Sequence, residues 1–537
     1  MILITSGAYV DTEFRNELGL LPPALLPIGN RRLFQHQAAL IAKAFPNERR
    51  FLSLPEDYGV TGNDHKLLSH CGLQVLRVPN GLSLAESVLF AMNSVGAYDE
   101  GVRILHGDTL LGELPADADA ICVAPTTDEY DWEYENPAEH QQQGLVWCGY
   151  FAFSDPRALI RSLVGSRRSF VAAVRGYDGQ RALTRVPAVA WKDFGHINTY
   201  YNARMQMTTE RAFNSLQVSR RRVVKSGDQP AKIRAEAHWF RALPGRLKVY
   251  TPQLLEWGER ADGTAWYALE YLCLPPLNEI FVHGAKPTMF WHQVFGQIDQ
   301  WFADACQGNA AVDAADLQAC RQRLIADKCL QRLQLHAQHS GLDLHAPLVF
   351  NDAALPPLWD IAQHCVAQAL AVPGVPGVVH GDLCFSNLLY DSRSGAIKLI
   401  DPRGLDTPDA QALVGDISYD IAKLAHSVIG LYDGIVAGIH QARTPAPGHY
   451  EFRPAIDSRV QAIQALFLQH RFAGARPNGH YMAQTVLLFL SMLPLHADNP
   501  ARQATLLANA LRLYRQHILV DGQAAASGLA QAALEAA

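Results

Sequence analysis

The chain is short of the features that mark secreted, membrane-embedded or nucleic-acid-coating proteins. Its nine cysteines are an odd number, scattered from Cys71 to Cys384 with no CxxC pair. That argues against a disulfide framework and a structural zinc site, and fits a reducing compartment. Long hydrophobic runs are missing too: the longest apolar stretch, Val486 to Leu493, falls far short of the ~20 residues a spanning helix needs. The opening MILITSGAYVDTEF has no basic segment ahead of its short apolar run, unlike a signal peptide. The expectation is a cytoplasmic protein with no membrane insertion. Basic charge is sparse as well. Net charge is −6 and Arg220-Arg221-Arg222 is the one run of three, which excludes nucleic acid as a principal partner but not a small phosphate-bearing molecule. Neither an internal repeat nor a low-complexity linker occurs.

What is present is an ordinary globular composition, 49% hydrophobic and 18% charged over 537 residues, long enough for two to four domains. Residues 1–205 alternate short β-branched strands (Ile2 to Thr5, Leu73 to Val78, Val102 to His106) with helices (Leu33 to Phe45, Leu84 to Val95). That alternation predicts an α/β, Rossmann-like domain with a mostly parallel sheet covered on both faces. Ligands gather at the carboxyl ends of such strands, where Asp108 falls. Residues 206–272 read as strand, helix and strand. Residues 273–520 are overwhelmingly helical, with single helices expected over Leu317 to His339 and Ile417 to Val436. Residues 521–537 form an Ala-rich terminal tail.

A single stretch inside this helical region carries chemistry. His380-Gly381-Asp382 is followed by Asn387, and the apolar strand Ala396 to Ile400 ends on Asp401. Phosphoryl transfer needs a carboxylate to take the proton of the attacking hydroxyl, and an amide oxygen and a second carboxylate to hold Mg²⁺ on the nucleotide phosphates. Asp382 fits the first role; Asn387 and Asp401 fit the second. The stretch resembles the catalytic loop of the aminoglycoside phosphotransferase and choline kinase superfamily, HGDxxxxN followed by a strand ending in Asp. That resemblance implies an α+β, protein-kinase-like domain with a small lobe and a helical large lobe. It implies ATP and Mg²⁺ as cofactors and a small-molecule hydroxyl as acceptor.

Further roles follow from it. Lys225 on the strand RRRVVKSGD and Glu236 on the next helix match the lysine–glutamate pair that positions phosphates. Lys232 is excluded as the strand lysine because it lies four residues before Glu236 on the same helix. FNSLQVS (213–219) is the candidate phosphate loop, and Glu270, Tyr271 and Leu272 are the candidate hinge meeting adenine. His380 is expected to pack and bond the backbone. Asp416 is expected to cap the following helix and brace the catalytic loop, while Asp420, Lys423 and His426 read as a solvated or packed face. Trp291, Trp301, Tyr432 and Tyr481 are weighed as a cage for a cationic amine against a place in the core.

A looser resemblance covers the first 200 residues or so. ALLPIGNRRLFQHQ (24–37), ILHGDTLL (104–111), GYFAF (149–153) and WKDFGHINTYYNAR (191–204) are similar to segments of sugar-phosphate nucleotidyltransferases. The likeness implies that Asp108 and Asp193 hold Mg²⁺ on a nucleotide such as CTP or UTP. The family's glycine-rich phosphate loop is replaced by a stretch containing Ser6, Gly7 and Arg15, and Pro23 stands where its catalytic lysine would align. Three functions follow as expectations. The first is a kinase coupled to a nucleotidyltransferase that activates the product for surface polysaccharide synthesis. The second is a kinase with a binding module in place of the transferase, and the third a non-catalytic nucleotide-sensing scaffold. An aminoglycoside-resistance kinase would leave the first domain unexplained.

Overall fold

The structure, a computed structural model, describes residues 1–126, 130, 132–136, 144–207, 214–307, 313–404 and 413–519. The tail expected at 521–537 and Phe213 of the expected phosphate loop lie outside the described residues. Contacts divide the chain into two units, Met1–Thr208 with His283–Ala285, and Thr209–Val282 with Lys286–Ala537.

In the first unit the strand Ile2–Thr5 is buried along its whole length, because its alternating side chains enter two cores. Ile2 and Ile4 pack with Phe34, Ala38 and Ile41 of the helix Leu33–Ala44. Leu3 enters the other core, with Val88, Ala91 and Met92 of the helix Leu84–Val95. Period-two alternation puts successive residues on opposite faces, and each large apolar side chain so buried contributes roughly 1.5–3 kcal/mol. Seven strands run in the order Thr184–Pro187, Ala120–Pro125, Leu145–Phe153, Val102–His106, Ile2–Thr5, Arg50–Pro55, Gln74–Val78. Neighbours are parallel except Leu145–Phe153, which is antiparallel on both sides. The unit is an α/β domain.

The strand Val102–His106 hands the chain to Gly107, whose N–H bonds Thr5 O at 2.8 Å. A Cβ there would stand 2.6 Å from Thr5 O and 2.9 Å from Ser6 Cβ. Only glycine lets this turn close on the neighbouring strand and deliver Asp108 to the carboxyl end of the sheet.

The second unit is protein-kinase-like. Its small lobe is an antiparallel sheet ordered Asn214–Val218, Arg222–Gly227, Ala265–Glu270, Leu254–Glu259. The helix Pro230–Ala242 starts on a proline at its first position and stops before Pro244. A helical lobe follows. Three expectations change here. Asn214–Val218, expected as a phosphate loop, is a strand with Leu216 opposite Lys225; its alternating pattern suits a pleated edge. The segment expected as one helix from Leu317 is Ala314–Arg321, a π-type segment Gln322–Asp327, and the helix Lys328–Ser340. The helix expected to run to Val436 stops after Val428 and restarts as Tyr432–Val436. Between them Leu431 is left-handed, with φ 55, and Gly430 lies so close to His426 O that a Cβ would stand 2.5 Å from it. Among the described residues no helix is long and apolar enough to cross a membrane.

Gly107→Ala is expected to lower the stability of the first unit by about 1–3 kcal/mol, the usual cost of an overpacked close approach. In a urea melt the transition of the first unit should move to lower denaturant while that of the second stays in place.

Candidate active site

The catalytic turn of the second unit is built around three backbone groups. Gly381 is left-handed, with φ 75, and the N–H groups of His380 and Gly381 both donate to the Asp420 carboxylate, at 2.7 and 2.8 Å. The His380 ring accepts the Asp382 N–H on Nδ1 at 3.2 Å and donates from Nε2 to Ile400 O at 2.9 Å. Burial pulls its pKa down to about 4. The ring is therefore neutral at physiological pH and acts as a clip between turn and strand. Asn387 closes the turn, its Nδ2 donating to Asp382 O at 2.8 Å and to Asp382 Oδ2 at 3.2 Å. That leaves the amide oxygen as the end of Asn387 a cation would meet.

A hairpin then returns the chain. Leu388–Asp391 pairs with Ala396–Leu399, Leu388 opposite Leu399, and Ile400 N–H bonds Asn387 O at 3.0 Å. This register brings Asp401 beside Asn387. Asp401 is itself left-handed, with φ 62, a conformation that costs a non-glycine residue energy and recurs at functional sites. Lys225 reaches from the small lobe to Asp401 Oδ1 and, at 2.6 Å, to Glu236 Oε2, which also accepts the Tyr267 hydroxyl at 2.8 Å. Burial lowers the Lys225 pKa, but the two carboxylates outweigh it and hold the ammonium above its ordinary value. Lys232 approaches only the other oxygen of Glu236, at 3.7 Å along the same helix.

One amide oxygen and one carboxylate, Asn387 and Asp401, form a donor set that suits Mg²⁺ completed by phosphate oxygens and water. Among the described residues no group of three or more His, Cys, Asp or Glu could hold a metal by itself.

Asp416 does not brace the catalytic turn as expected. It ends the strand Val414–Asp416, pairs with buried Arg321 at 2.7 Å and accepts the N–H groups of Val375 and Ser418. The helix begins one turn position later than supposed, at Ser418, so the residue aimed at the turn is Asp420. Lys423, expected on a solvated or packed face with no part in the chemistry, departs from that by its contact with Asp382. It is buried, and its ammonium lies 2.9 Å from Asp382 Oδ1. Burial would raise the Asp382 pKa, yet the charge and hydrogen bond of Lys423, with His380 and Arg403 behind them, together outweigh it and hold the carboxyl well below the usual range. Sequence periodicity hides both residues because the whole helix Ser418–Val428 is buried, leaving no polar face to read. The signal available is their spacing: 420 and 423 share a face with 416 and 427.

The hinge residues are partly engaged. Glu270 N–H donates to Gln253 O, Tyr271 N–H to Arg221 O, and Leu272 O accepts from Leu274 N–H. Of the three N–H groups that of Leu272 alone has no partner among the described residues. The four aromatics weighed as a cage do not converge. Trp291 stacks on Phe385 at 5.5 Å, Trp301 packs on Trp239 and Tyr250, and Tyr432 lies on His426. Both tryptophans are fully buried, so they are core.

In the first unit a short ladder pairs Asp193 with Thr109, and Phe194 N–H bonds Asp108 O at 2.7 Å. A Cβ at Gly195 would lie 3.0 Å from Asp108 Oδ2 and 3.3 Å from Asp193 Oδ1, so both carboxylates face one point. Asp193 Oδ2 meets His196 Nδ1 at 3.0 Å and accepts from Thr199 Oγ1 at 2.6 Å. Burial first, and the Asp193 charge second, push Asp108 up to about 6. Two carboxylates crowded this way suit a divalent cation. The expected phosphate loop is another matter. Ser6 is buried, its N–H donates to Ser53 Oγ, and its own Oγ accepts from Ala24 N–H. Those groups belong to the fold and cannot turn to a phosphate. Gly7 packs against Ser87 and Val78. Arg15 is exposed on the helix Thr12–Leu18, which Asp11 caps, and Pro23 opens a short 3₁₀ turn.

Residues 210–454 match the model of the phosphotransferase enzyme family. A search of curated proteins found no match. Among solved structures, the nucleoside-diphosphate-sugar pyrophosphorylase from Vibrio cholerae RC9 is 15% identical, covering 38% of this chain and 99% of its own, with TM-score 0.31. CTP:phosphocholine cytidylyltransferase from Streptococcus pneumoniae is 10% identical over 38% of this chain and 98% of its own, with TM-score 0.30. The GDP complex of aminoglycoside 2'-phosphotransferase-IIIa is 15% identical over 57% of this chain and 90% of its own, with TM-score 0.35.

Two outcomes test the geometry. Asp420→Asn keeps the shape but offers one acceptor oxygen to two N–H groups, and is expected to lower kcat about tenfold to a hundredfold with the nucleotide KM little changed. Steady-state kinetics with nucleotide varied decides it. Asp108→Asn removes a carboxylate whose raised pKa makes it a burden on the fold only where it is ionised, above about pH 6. Calorimetry should therefore show the variant melting higher than the parent near pH 8, with the gain fading as the pH drops through the Asp108 pKa.

Proposed function

We propose that the second unit transfers the γ-phosphoryl group of ATP to a hydroxyl of a small polar molecule, of the sugar, polyol or amino-alcohol kind. The first unit then joins the phosphorylated product to a nucleotide drawn from CTP or UTP, for surface polysaccharide synthesis in the cytoplasm. The observation that carries the kinase half is one constellation. Asp382 and Asn387 share a turn, Asp401 returns beside them, and Lys225 with Glu236 meets Asp401 across the lobes.

In this reading Asp382 orients the acceptor hydroxyl by accepting its proton in a hydrogen bond. Lys423 keeps that carboxylate ionised and makes it a weak base at rest. The proton moves only as the new O–P bond forms and the hydroxyl becomes acidic, which suits a loose transition state governed by positioning. Lys225, fixed by Glu236, neutralises the nucleotide phosphates. Mg²⁺ on Asn387 and Asp401 would supply the remaining charge neutralisation. A second reading, with the first unit a binding module only, is favoured by the engagement of Ser6 within the fold and by Pro23 at the position of the expected lysine.

³¹P NMR with Mg²⁺, ATP and CTP or UTP against a panel of hydroxyl compounds tests both halves. The bifunctional reading expects a phosphomonoester that goes on to a diphosphate diester. Asp382→Ala should suppress the first step by about a hundredfold to ten-thousandfold, and Asp108→Ala only the second. A monoester that accumulates with every nucleotide would leave the kinase alone. Lys423→Met frees the Asp382 carboxyl from its partner, so the acid limb of the kcat/KM–pH profile should move upward; an unmoved limb would refute the role given to this lysine.

A further inference from the structure

The surroundings of Asp382 are more basic than a kinase for neutral or cationic acceptors needs. Three elements meet there. Arg403 follows Asp401 by two residues. Its N–H bonds His380 O at 2.9 Å, its Nη2 donates to the Tyr419 hydroxyl at 2.6 Å, and its guanidinium lies 4.7 Å over the Tyr419 ring. It stands directly on the catalytic turn, since a Cβ at Gly381 would come within 2.8 Å of Arg403 Cβ. So fixed, it keeps one end unspent: Nη1 is buried with no partner among the described residues.

The second element is the helix Lys328–Ser340, where Lys328 and Arg332 lie one turn apart on one face. Lys328 has no hydrogen bond or ion pair among the described residues, and feels Arg403, Arg332, Lys423 and Asp382 electrostatically. Burial, reinforced by the three neighbouring cations, pulls its pKa down to about 6. Arg332 makes a long bond of 3.4 Å to Ser491 O. The π-type segment Gln322–Asp327 immediately precedes Lys328; a widened turn resets the phase of the helix after it. The third element supplies Lys423, which Asp382 already neutralises. Among the described residues Lys328, Arg332 and Arg403 therefore remain without a carboxylate of their own. Two half-buried guanidiniums with no carboxylate beside them, and an amine that an arriving anion can protonate, leave a place for negative charge.

We infer that the acceptor is a hydroxyl compound with an anionic group of its own, a phosphate or a carboxylate, gripped by Lys328, Arg332 and Arg403 while Asp382 receives its hydroxyl. The inference rests on the kinase reading above and narrows it: a quaternary amine or polyamine would meet like charge. In that reading Lys225, held by Glu236, serves the nucleotide phosphates, which leaves the cluster to the acceptor.

Isothermal titration calorimetry on the full chain, with Mg²⁺ and ADP saturating the nucleotide site, tests this. The probes are glycerol 3-phosphate, glucose 6-phosphate and glycerate, against glycerol, glucose and choline. The expected result is heat from an anionic probe and none from its neutral parent, with glycerate against glycerol 3-phosphate deciding between carboxylate and phosphate. Lys328→Gln and Arg403→Gln should each weaken that binding about tenfold or more while leaving ADP affinity unchanged. Lys328→Gln should also melt no lower than the parent, because it removes an amine that burial and its cationic neighbours make costly to ionise. The inference is overturned if neutral or cationic probes bind as well as anionic ones, if no anionic probe binds, or if Lys328→Gln leaves their affinity intact. It is equally overturned if anionic probes bind only without ADP. Failure of ADP itself to bind would sink the kinase reading separately, with the anion titrations still readable.

Discussion

The Asp420 carboxylate accepts the two N–H groups at the start of the catalytic turn, and the other distances in the site follow from that contact. With Gly381 left-handed, the turn cannot satisfy these donors internally, and each buried unpaired N–H would cost about 1–3 kcal/mol. Asp420 can serve because it rides on a helix enclosed on every side, which cannot rock without disturbing the lobe. Lys423 lies one helical turn further on and reaches Asp382; Tyr419, one residue earlier, supports Arg403 from the far side of the turn. One helix thus sets the position, the charge and the flank of the candidate base.

The two units use charge in opposite senses. In the first, Asp108 and Asp193 face one point and the buried Asp108 is pushed toward protonation, an arrangement that a cation relieves. In the second, Lys423 and Arg403 stand by Asp382, and the carboxylate is held ionised. In the readings proposed above a metal would answer the crowding in the first and an anionic acceptor the cations in the second. Each site is left electrostatically unfinished by the protein in a way that names the sign of its ligand.

Much of this is legible from the sequence where local patterns and chemistry agree. Strand–helix alternation locates the sheet of the first unit because its strands are short, β-branched and separated by capped helices. The ordered set Asp382, Asn387, Asp401 is legible because the catalytic turn and hairpin are contiguous in sequence. What escapes depends on burial. Periodicity distinguishes an inner from an outer face, so a helix with no outer face conceals which of its polar residues point at the chemistry; the pattern favours Asp416 over Asp420 and gives Lys423 no role. Lys328 and Arg332 are invisible for another reason. They sit some fifty residues before the turn, and a π-type segment sets the phase in which they arrive. The phosphate-loop reading at Ser6 fails because a serine can spend its donors on neighbouring strands, which composition does not reveal.

Lys225 joins the small lobe to the catalytic hairpin. Its ammonium is shared between Glu236 and Asp401, so one cation stands between two carboxylates before any phosphate enters. In the proposed reading a triphosphate arriving with its cation would exchange partners without exposing a bare charge: Asp401 would hold the cation and Lys225 the phosphates, while Glu236 and Tyr267 keep the lysine in place. The left-handed backbone of Asp401 marks where this exchange is held. Because each group would keep an opposite charge beside it through the exchange, little binding energy would be lost to desolvation. More of it then remains for aligning the acceptor hydroxyl against Asp382, which is the step that positioning must accomplish.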